Sequence, residues 1–464
     1  MKIDMEFTLS GLFVKHEFFS SFAINDRIDL IISSIDKLIT VQLNAILHHP
    51  EFQALESSWR GLNYLTETVS KSSIVNIKII SSSWAELARD FERCGDVEDS
   101  ALFKKIYNEE FGMPGGLPFG VLLCDYKIHH RTYPDHRIDD ITTLTALSSV
   151  GAAAFVPVIL GASPRMFGLD SFTEIERVKN LSQSFQNLEF KRYQQLRKKE
   201  DSRFLGLVLP RVLMRKPYGP DSGLNLTFSY REDLQGLDHE QFCWGSAIYP
   251  FGEVLIRAFE QYGWFADISG IKQNEISYGI VAGVKNYSME TDREGLIPRI
   301  GAEVALSSKL ENDLGEAGFI GLCVCKDTEL LAFKIIPSIQ QPLTYTGAAA
   351  NANAHLSAML PYIFCVSRFA HYIKVQIRDK VGTYKTAAEI ELKLQNWLFS
   401  YSTANDNLPL ELKARYPLRE SRVEVRELAG RPGTFSCVMH LQPHYRVEQV
   451  AASFRLSMKI VEPR

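Results

Sequence analysis

Histidine and carboxylate gather most densely in KIHHRTYPDHRIDD, where His129, His130 and His136 lie among Asp135, Asp139 and Asp140. Imidazole and carboxylate are the donors that a borderline divalent metal prefers. The spacing argues against a metal. Adjacent histidines on extended chain point apart, and no HExxH-type step turns two rings to one point. The segment is expected to be a solvated loop. Cys365 and His371 could serve nucleophilic catalysis, but six residues at about 100° each set them on different faces of a helix. Cys365 is by default a core residue, and no GxSxG elbow is present. Asp125, closing VLLCDY, and Ser163, in GASP, fall where a parallel sheet holds its ligands, beyond the carboxyl ends of strands. They are the best enzyme site this sequence offers. No GxGxxG follows a strand and no GxxxxGKS/T exists, so the usual phosphate cradles are missing. The glycines of FGMPGGLPFG precede a strand rather than a helix, which makes that segment a rigid surface loop. No catalytic, cofactor-binding or metal-binding residue is assigned from these patterns, and no cofactor is expected.

The elements that must position such residues belong to a chain of 464 residues, 45% hydrophobic and 23% charged, with a formal net charge of -4. That balance gives no global attraction to nucleic acid or acidic lipid. The seven cysteines are scattered, odd in number and without a CxxC pair, as in a reduced cytoplasmic protein. The N-terminus shows no signal-peptide pattern. The uncharged run Ile141–Pro164 holds too many threonines, serines and glycines for a membrane span, and divides better into a helix over Asp139–Ala154 and a strand over Val156–Leu160. No membrane span is expected.

Ile28, Ile32, Ile35, Ile39, Leu43 and Ile46 recur at three- and four-residue steps behind Asn25 and Asp26, which predicts an amphipathic helix up to Pro50. A second helix is expected over Phe52–Val69. SIVNIKII (Ser73–Ile80) has the composition of a strand, and WAELARDFERC that of a helix. VLLCDY, the uncharged helix and VPVIL then make a parallel crossover unit, so the middle of the chain is α/β. Ser246–Tyr262, Ala352–Asp379 and Ala387–Tyr401 are expected as helices, and FIGLCVC and ELLAFKII as strands. The tail is β: Arg422–Leu428, Thr434–Leu441 and Ser453–Ile460. Its alternation sets Phe454, Leu456, Met458 and Ile460 on one face.

Seven long stretches carry a resemblance: PEFQALESSWRGLNYL, SALFKKIYNEEFGMPGGLPFGVLLCDY, GASPRMFGLDSFTE, EDSRFLGLVLPRVLMRKPYG, CWGSAIYPFGEVLIRAFEQYGWFADI, AHLSAMLPYIFCVSRFAHYIKVQIRDKVG and RYPLRESRVEVRELAGRPGTFSCVMHLQPHYRVE. They run from about Pro50 to the C-terminus, and in them the chain resembles the large subunit of the type VI secretion contractile sheath, the TssC/VipB (ImpC/EvpB) family. The segment before Pro50 is short for that family. The resemblance implies an α/β, phage-tail-sheath-like fold and no catalysis. It implies a cytoplasmic structural protein that pairs with a small sheath subunit (TssB/VipA) and polymerises with its own copies on a baseplate. The tube formed surrounds an inner tube of Hcp, contracts to drive that tube outward, and is later taken apart by the AAA+ ATPase ClpV.

Joined to the patterning, the resemblance gives residue-level expectations. Residues 1–70 form an N-terminal helical arm that pairs with the small subunit through Ile28, Ile32, Ile35 and Ile39. Residues 71–345 form an α/β sheath domain. Residues 346–464 form a C-terminal domain of helices and inter-subunit strands. Those strands carry Val423, Val425, Phe435, Cys437, Met439, Phe454, Leu456 and Met458. The basic end of LPYIFCVSRFAHYIKVQIRDKVG, with Lys374, Arg378 and Lys380, is the candidate inner-tube contact. The competing reading is a cytoplasmic α/β enzyme with its site near Asp125 and Ser163.

Overall fold

The computed structural model describes residues 24–70, 74–178, 181–219, 230–234, 239–265, 267–271, 278–287, 300–325, 328–379, 386–405, 410–427, 434–444 and 454–461. Two units emerge, Met1–Glu56 with Arg215–Cys243, and Ser57–Met214 with Trp244–Arg464.

In the smaller unit, α1 spans Ile24–Leu47, as the isoleucine spacing predicts. Pro50 opens α2 (Pro50–Thr68) at a helical position whose N–H has no intrahelical partner to lose. The unit has a polar centre. Arg215 is bonded to Glu56 at 2.8 Å and to Glu232 at 2.6 Å, and Arg215 and Glu232 are both buried. Glu232 also accepts from His48 Nε2 at 3.2 Å and from the Tyr218 N–H at 2.9 Å. Burial pushes the Glu232 carboxyl upward, but the hydrogen bonds and charge of Arg215 outweigh it and hold the group below its ordinary range.

The larger unit is built on a sheet of order β1-β2-β3-β7-β8-β6. Its strands are β1 (Leu122–Ile128), β2 (Val158–Ala162), β3 (Leu205–Leu209), β6 (Ile280–Val281), β7 (Phe319–Val324) and β8 (Leu331–Phe333). Two short strands, β4 (Val212–Arg215) and β5 (Cys243–Gly245), lie outside it. β1, β2, β3 and β7 run parallel, whereas β8 and β6 are antiparallel additions. The parallel strands are near-continuous apolar runs because both faces are covered. On one face Val158, Leu160, Leu205, Leu207 and Phe319 meet Leu144 and Leu147 of α4 (Asp140–Ala154). On the other Ile159, Val208, Ile320 and Leu322 meet Phe251 and Leu255 of α5 (Ile248–Tyr262). α4, uncharged beyond Asp140, is the predicted crossover helix between β1 and β2, and it is buried along most of its length. Gly206 of β3 is needed for close approach: a Cβ there would stand 2.7 Å from Leu360 and 2.9 Å from Ile159.

The C-terminal part carries α6 (Ala348–Ser357), α7 (Leu360–Asp379) and α8 (Ala387–Phe399), then β9 (Leu418–Glu427), β10 (Thr434–Pro443) and β11 (Phe454–Val461). These strands form one antiparallel sheet of order β11-β10-β9. Its apolar face closes a separate core with Ile363, Phe369 and Ile373 of α7 and Ile390, Leu394 and Leu398 of α8.

Two expectations are corrected. SIVNIKII forms no strand over its described residues, and Ile74, Ile79 and Ile80 are exposed. An apolar run becomes a strand only where another strand satisfies its backbone. The single helix expected over Ala352–Asp379 is two helices. Ser338 donates to the Ala358 carbonyl through both its N–H and its hydroxyl, and the Leu360 N–H goes to Ile336. Pro361, without an N–H, then begins the second helix.

Candidate functional site

The C-terminal sheet is the first candidate surface, and its two edges are unlike. The outward N–H groups of β9 are sealed by α8: Val423 donates to Gln395 at 2.8 Å and Val425 to Glu391 at 2.9 Å. Gln395 in turn donates to the Ser421 carbonyl at 3.0 Å. At the start of the strand, Leu418 exchanges backbone bonds with Tyr401 and Thr403. β10 is paired on both sides. Among the described residues β11 is an edge strand, with β10 as its neighbour in the sheet. The side chains expected at an inter-subunit contact divide accordingly. Val423, Val425, Phe435, Cys437 and Met439 are buried in this chain's own core. The side chains of Phe454, Leu456 and Met458 lie outside the described residues, while their backbones pair with Leu441, Met439 and Cys437 of β10, respectively.

Helix α1 is the second surface. Ile28, Ile32, Ile35 and Ile39 are exposed, as are Leu30, Ile31 and Leu38, so the apolar residues extend well beyond one narrow seam. Within α1, Ile28–Leu47 is long and apolar enough by length and composition to cross a membrane. The 24-residue helix also carries Asp26, Asp29, Asp36 and Lys37.

Of the basic residues on α7, Lys374 is half-buried. Its Nζ lies 2.9 Å from the Tyr107 hydroxyl and 4.6 Å from the centre of the Phe111 ring. The Arg378 side chain and Lys380 lie outside the described residues.

Asp125 is not at a strand end. It lies inside β1, where the pairing with β2 slips between Cys124 and Lys127. Such a bulge turns a side chain out of the alternation. Asp125 accepts from Ser58 Oγ at 2.5 Å and from the Tyr249 hydroxyl at 2.8 Å. Burial first, and then the Asp125 charge, raise the Tyr249 pKa and keep the phenol protonated as a donor. Ser163 is buried and caps a short helical turn, its Oγ accepting from the Arg165 N–H at 3.3 Å. Each of the two is engaged locally. Cys365 is a core thiol, pushed up to about 12 by burial. His371 is fully buried, and its Nε2 donates to the Ala154 carbonyl at 3.0 Å.

The histidine segment corrects the expectation of a solvated loop. Tyr133 and His136 bond to each other through their backbones at 2.7 and 3.0 Å, closing a turn over Pro134 and Asp135. Arg165 holds that turn by a two-pronged bond to Asp135 at 2.8 and 2.6 Å. The fold-back lays His136 against His129, with ring centres 4.4 Å apart. Both reach Asp140, in the first turn of α4: His136 Nε2 lies 2.6 Å from Oδ1 and His129 Nδ1 3.1 Å from Oδ2. Trp84 Nε1, from α3 (Trp84–Arg93), donates to Oδ1 at 2.7 Å, and the His129 N–H to Oδ2 at 2.8 Å. Burial would raise the Asp140 pKa, but these donors together outweigh it and lower the group. The overlooked signal was Pro-Asp at the centre of a four-residue segment, a turn pattern, with Asp140 one helical step beyond His136.

Residues 29–340 match the family model described as EvpB/VC_A0108, tail sheath N-terminal domain, and residues 349–460 match its tail sheath gpW/gp25-like domain. The match begins ahead of Pro50 and takes in most of α1. The type VI secretion system sheath protein TssC1 of Pseudomonas aeruginosa is 35% identical over 436 residues, covering 93% of this chain and 86% of that one. A chain of the anti-feeding prophage baseplate covers 83% of this chain at a TM-score of 0.37 and 10% identity, with 84% of its own length matched.

Proposed function

This chain belongs to the EvpB/VipB family of type VI secretion tail sheath proteins, and from that premise we propose that it is the large subunit of a contractile sheath. It co-assembles in the cytoplasm with the small sheath subunit, polymerises with its own copies on a baseplate around the Hcp inner tube, and contracts to propel that tube. ClpV then recycles the contracted form. The match across both sheath domains carries this reading. Helix α1 supports it, because a helix with isoleucine exposed over much of its surface gains by being covered. Ile28, Ile32, Ile35 and Ile39 are the proposed contact with the small subunit. The open edge of β11 is the proposed acceptor for a strand of a neighbouring subunit, since an edge strand offers unpaired N–H and C=O groups. Lys374, Arg378 and Lys380 are the proposed inner-tube contact. Under this reading the protein is a mechanical component and not an enzyme.

Co-expression with the small subunit tests it. Negative-stain microscopy should show tubules with both proteins and none with this chain alone, which should aggregate or stay bound to chaperones. A stable, monodisperse monomer that builds nothing with the small subunit overturns the assignment.

A further inference from the structure

The cluster of His129, His136 and Asp140 lies apart from the residues proposed above for sheath contacts. We propose that these three residues form a binding site for a borderline divalent cation, zinc by its chemistry. Their candidate ligand atoms all lie within 4.8 Å of one another. Two imidazoles and a carboxylate are a familiar zinc set, with the remaining position open to water. The present contacts show how the ion enters. Each ring N–H bridges to one carboxylate oxygen, at 2.6 and 3.1 Å. A cation replaces those two bridging protons. Each neutral ring then carries its proton on the other nitrogen, so the proton count does not change.

The surroundings are those of a held ligand rather than of a chance cluster. After the exchange each Asp140 oxygen keeps one outer donor, the Trp84 indole N–H on Oδ1 and the His129 backbone N–H on Oδ2. Such outer contacts fix ligand orientation in metal sites. The turn that delivers His136 is clamped in advance by Arg165 on Asp135. An entry path exists too, because the imidazoles of His129 and His136 keep 11% and 21% of their surface while the carboxylate is buried. A bound ion would pin the β1–α4 connection to the first turn of α4, which the Trp84 indole of α3 holds through Asp140.

The test uses the full-length chain in its co-expressed complex, stripped with a chelator and titrated with zinc ion alone against a fluorescent competitor. One zinc per chain is expected. His136→Ala should abolish that binding. Trp84→Phe, which removes only an outer donor, should weaken it by about tenfold or more. His49→Ala should leave it unchanged. No stoichiometric zinc, or equal binding by His136→Ala, overturns the proposal. Cobalt ion on the unmutated complex gives a readout independent of any variant. Visible bands of a four-coordinate nitrogen–oxygen site support the assignment. Intense thiolate-to-cobalt bands in the near ultraviolet place the metal on cysteine and refute it.

Discussion

His371 ties the stability of the C-terminal core to pH. Its ring is 1% exposed, its Nε2–H is committed to the Ala154 carbonyl, and its Nδ1 is buried with no hydrogen-bond partner in this structure. A second proton would therefore be a charge without an acceptor, next to the Arg368 guanidinium and the edge-on Phe111 ring. Burial above all, opposed by the Ala154 carbonyl and assisted by Arg368, pushes the imidazole down to about 3. The unfolded chain has the ordinary value of about 6.5. The unfolded state thus binds more protons between these values, and stability falls as the pH drops below about 6.5, by roughly 1.4 kcal/mol per pH unit. From pH 7.5 to pH 5.0 the loss is about 2 kcal/mol. His371→Gln keeps an N–H donor for Ala154 but cannot titrate. Urea melts of the wild type and the variant, each in its co-expressed complex with the small subunit, at one protein concentration and across that pH range, isolate the term, because every other group is common to both. Tryptophan fluorescence is a suitable probe, since Trp264 stacks on Phe369 of the same helix at 4.5 Å. The variant's loss on acidification should be smaller by about 2 kcal/mol. Equal slopes for the two proteins would refute the reasoning.

Three further outcomes follow from the same geometry. Val423 sends its N–H away from β10, so Met439 opposite must send its own toward Leu456, and by alternation Ser457 faces outward on β11. Ser457→Pro should block sheath assembly while sparing the fold, Leu456→Pro should damage the intrachain ladder itself, and the alanine variants should assemble; normal sheaths from Ser457→Pro would remove β11 as the link. Replacing Ile28, Ile32, Ile35 and Ile39 together by glutamate should abolish co-purification of the small subunit with little change in the circular dichroism spectrum, and retained pairing would move that contact elsewhere. Reversing the charges of Arg378 and Lys380 together, with Lys374 left against Tyr107 and Phe111, should weaken inner-tube loading, a surface pair being worth only about 0.2–1 kcal/mol, and unchanged loading in sedimented sheaths would dismiss that face.

The parts of the fold legible in the sequence were those whose signal is local. Beyond Asp140, α4 reads as buried because it carries no charged side chain from Ile141 to its end. The last tail strand stands out because Phe454, Leu456, Met458 and Ile460 alternate with polar residues. What escaped depends on distant partners. SIVNIKII has a strand's composition but, among the described residues, no strand beside it. Asp125 reads as a strand end because the apolar run stops there, whereas β1 continues through the polar Asp125–Lys127, held by pairing to β2 across a bulge. The histidine cluster was missed because spacing along the chain says nothing about a turn that folds His136 back onto His129. The family, by contrast, was legible from long motifs, while the division of the tail between core and edge was not, since it rests on two side chains of α8.

Those two side chains, Glu391 and Gln395, have a consequence for how a polymer can grow. With β9 sealed and β10 interior, the C-terminal sheet has one open edge among the described residues, and so a valence of one for strand addition there. Units of valence one that join through like edges stop at a closed pair. Open-ended growth needs unlike, head-to-tail contacts. A filament linked through this sheet must therefore receive its added strand from a different segment of the neighbouring subunit, a donor distinct from the acceptor. The link then has a direction, and a sheath built on it has two chemically different ends.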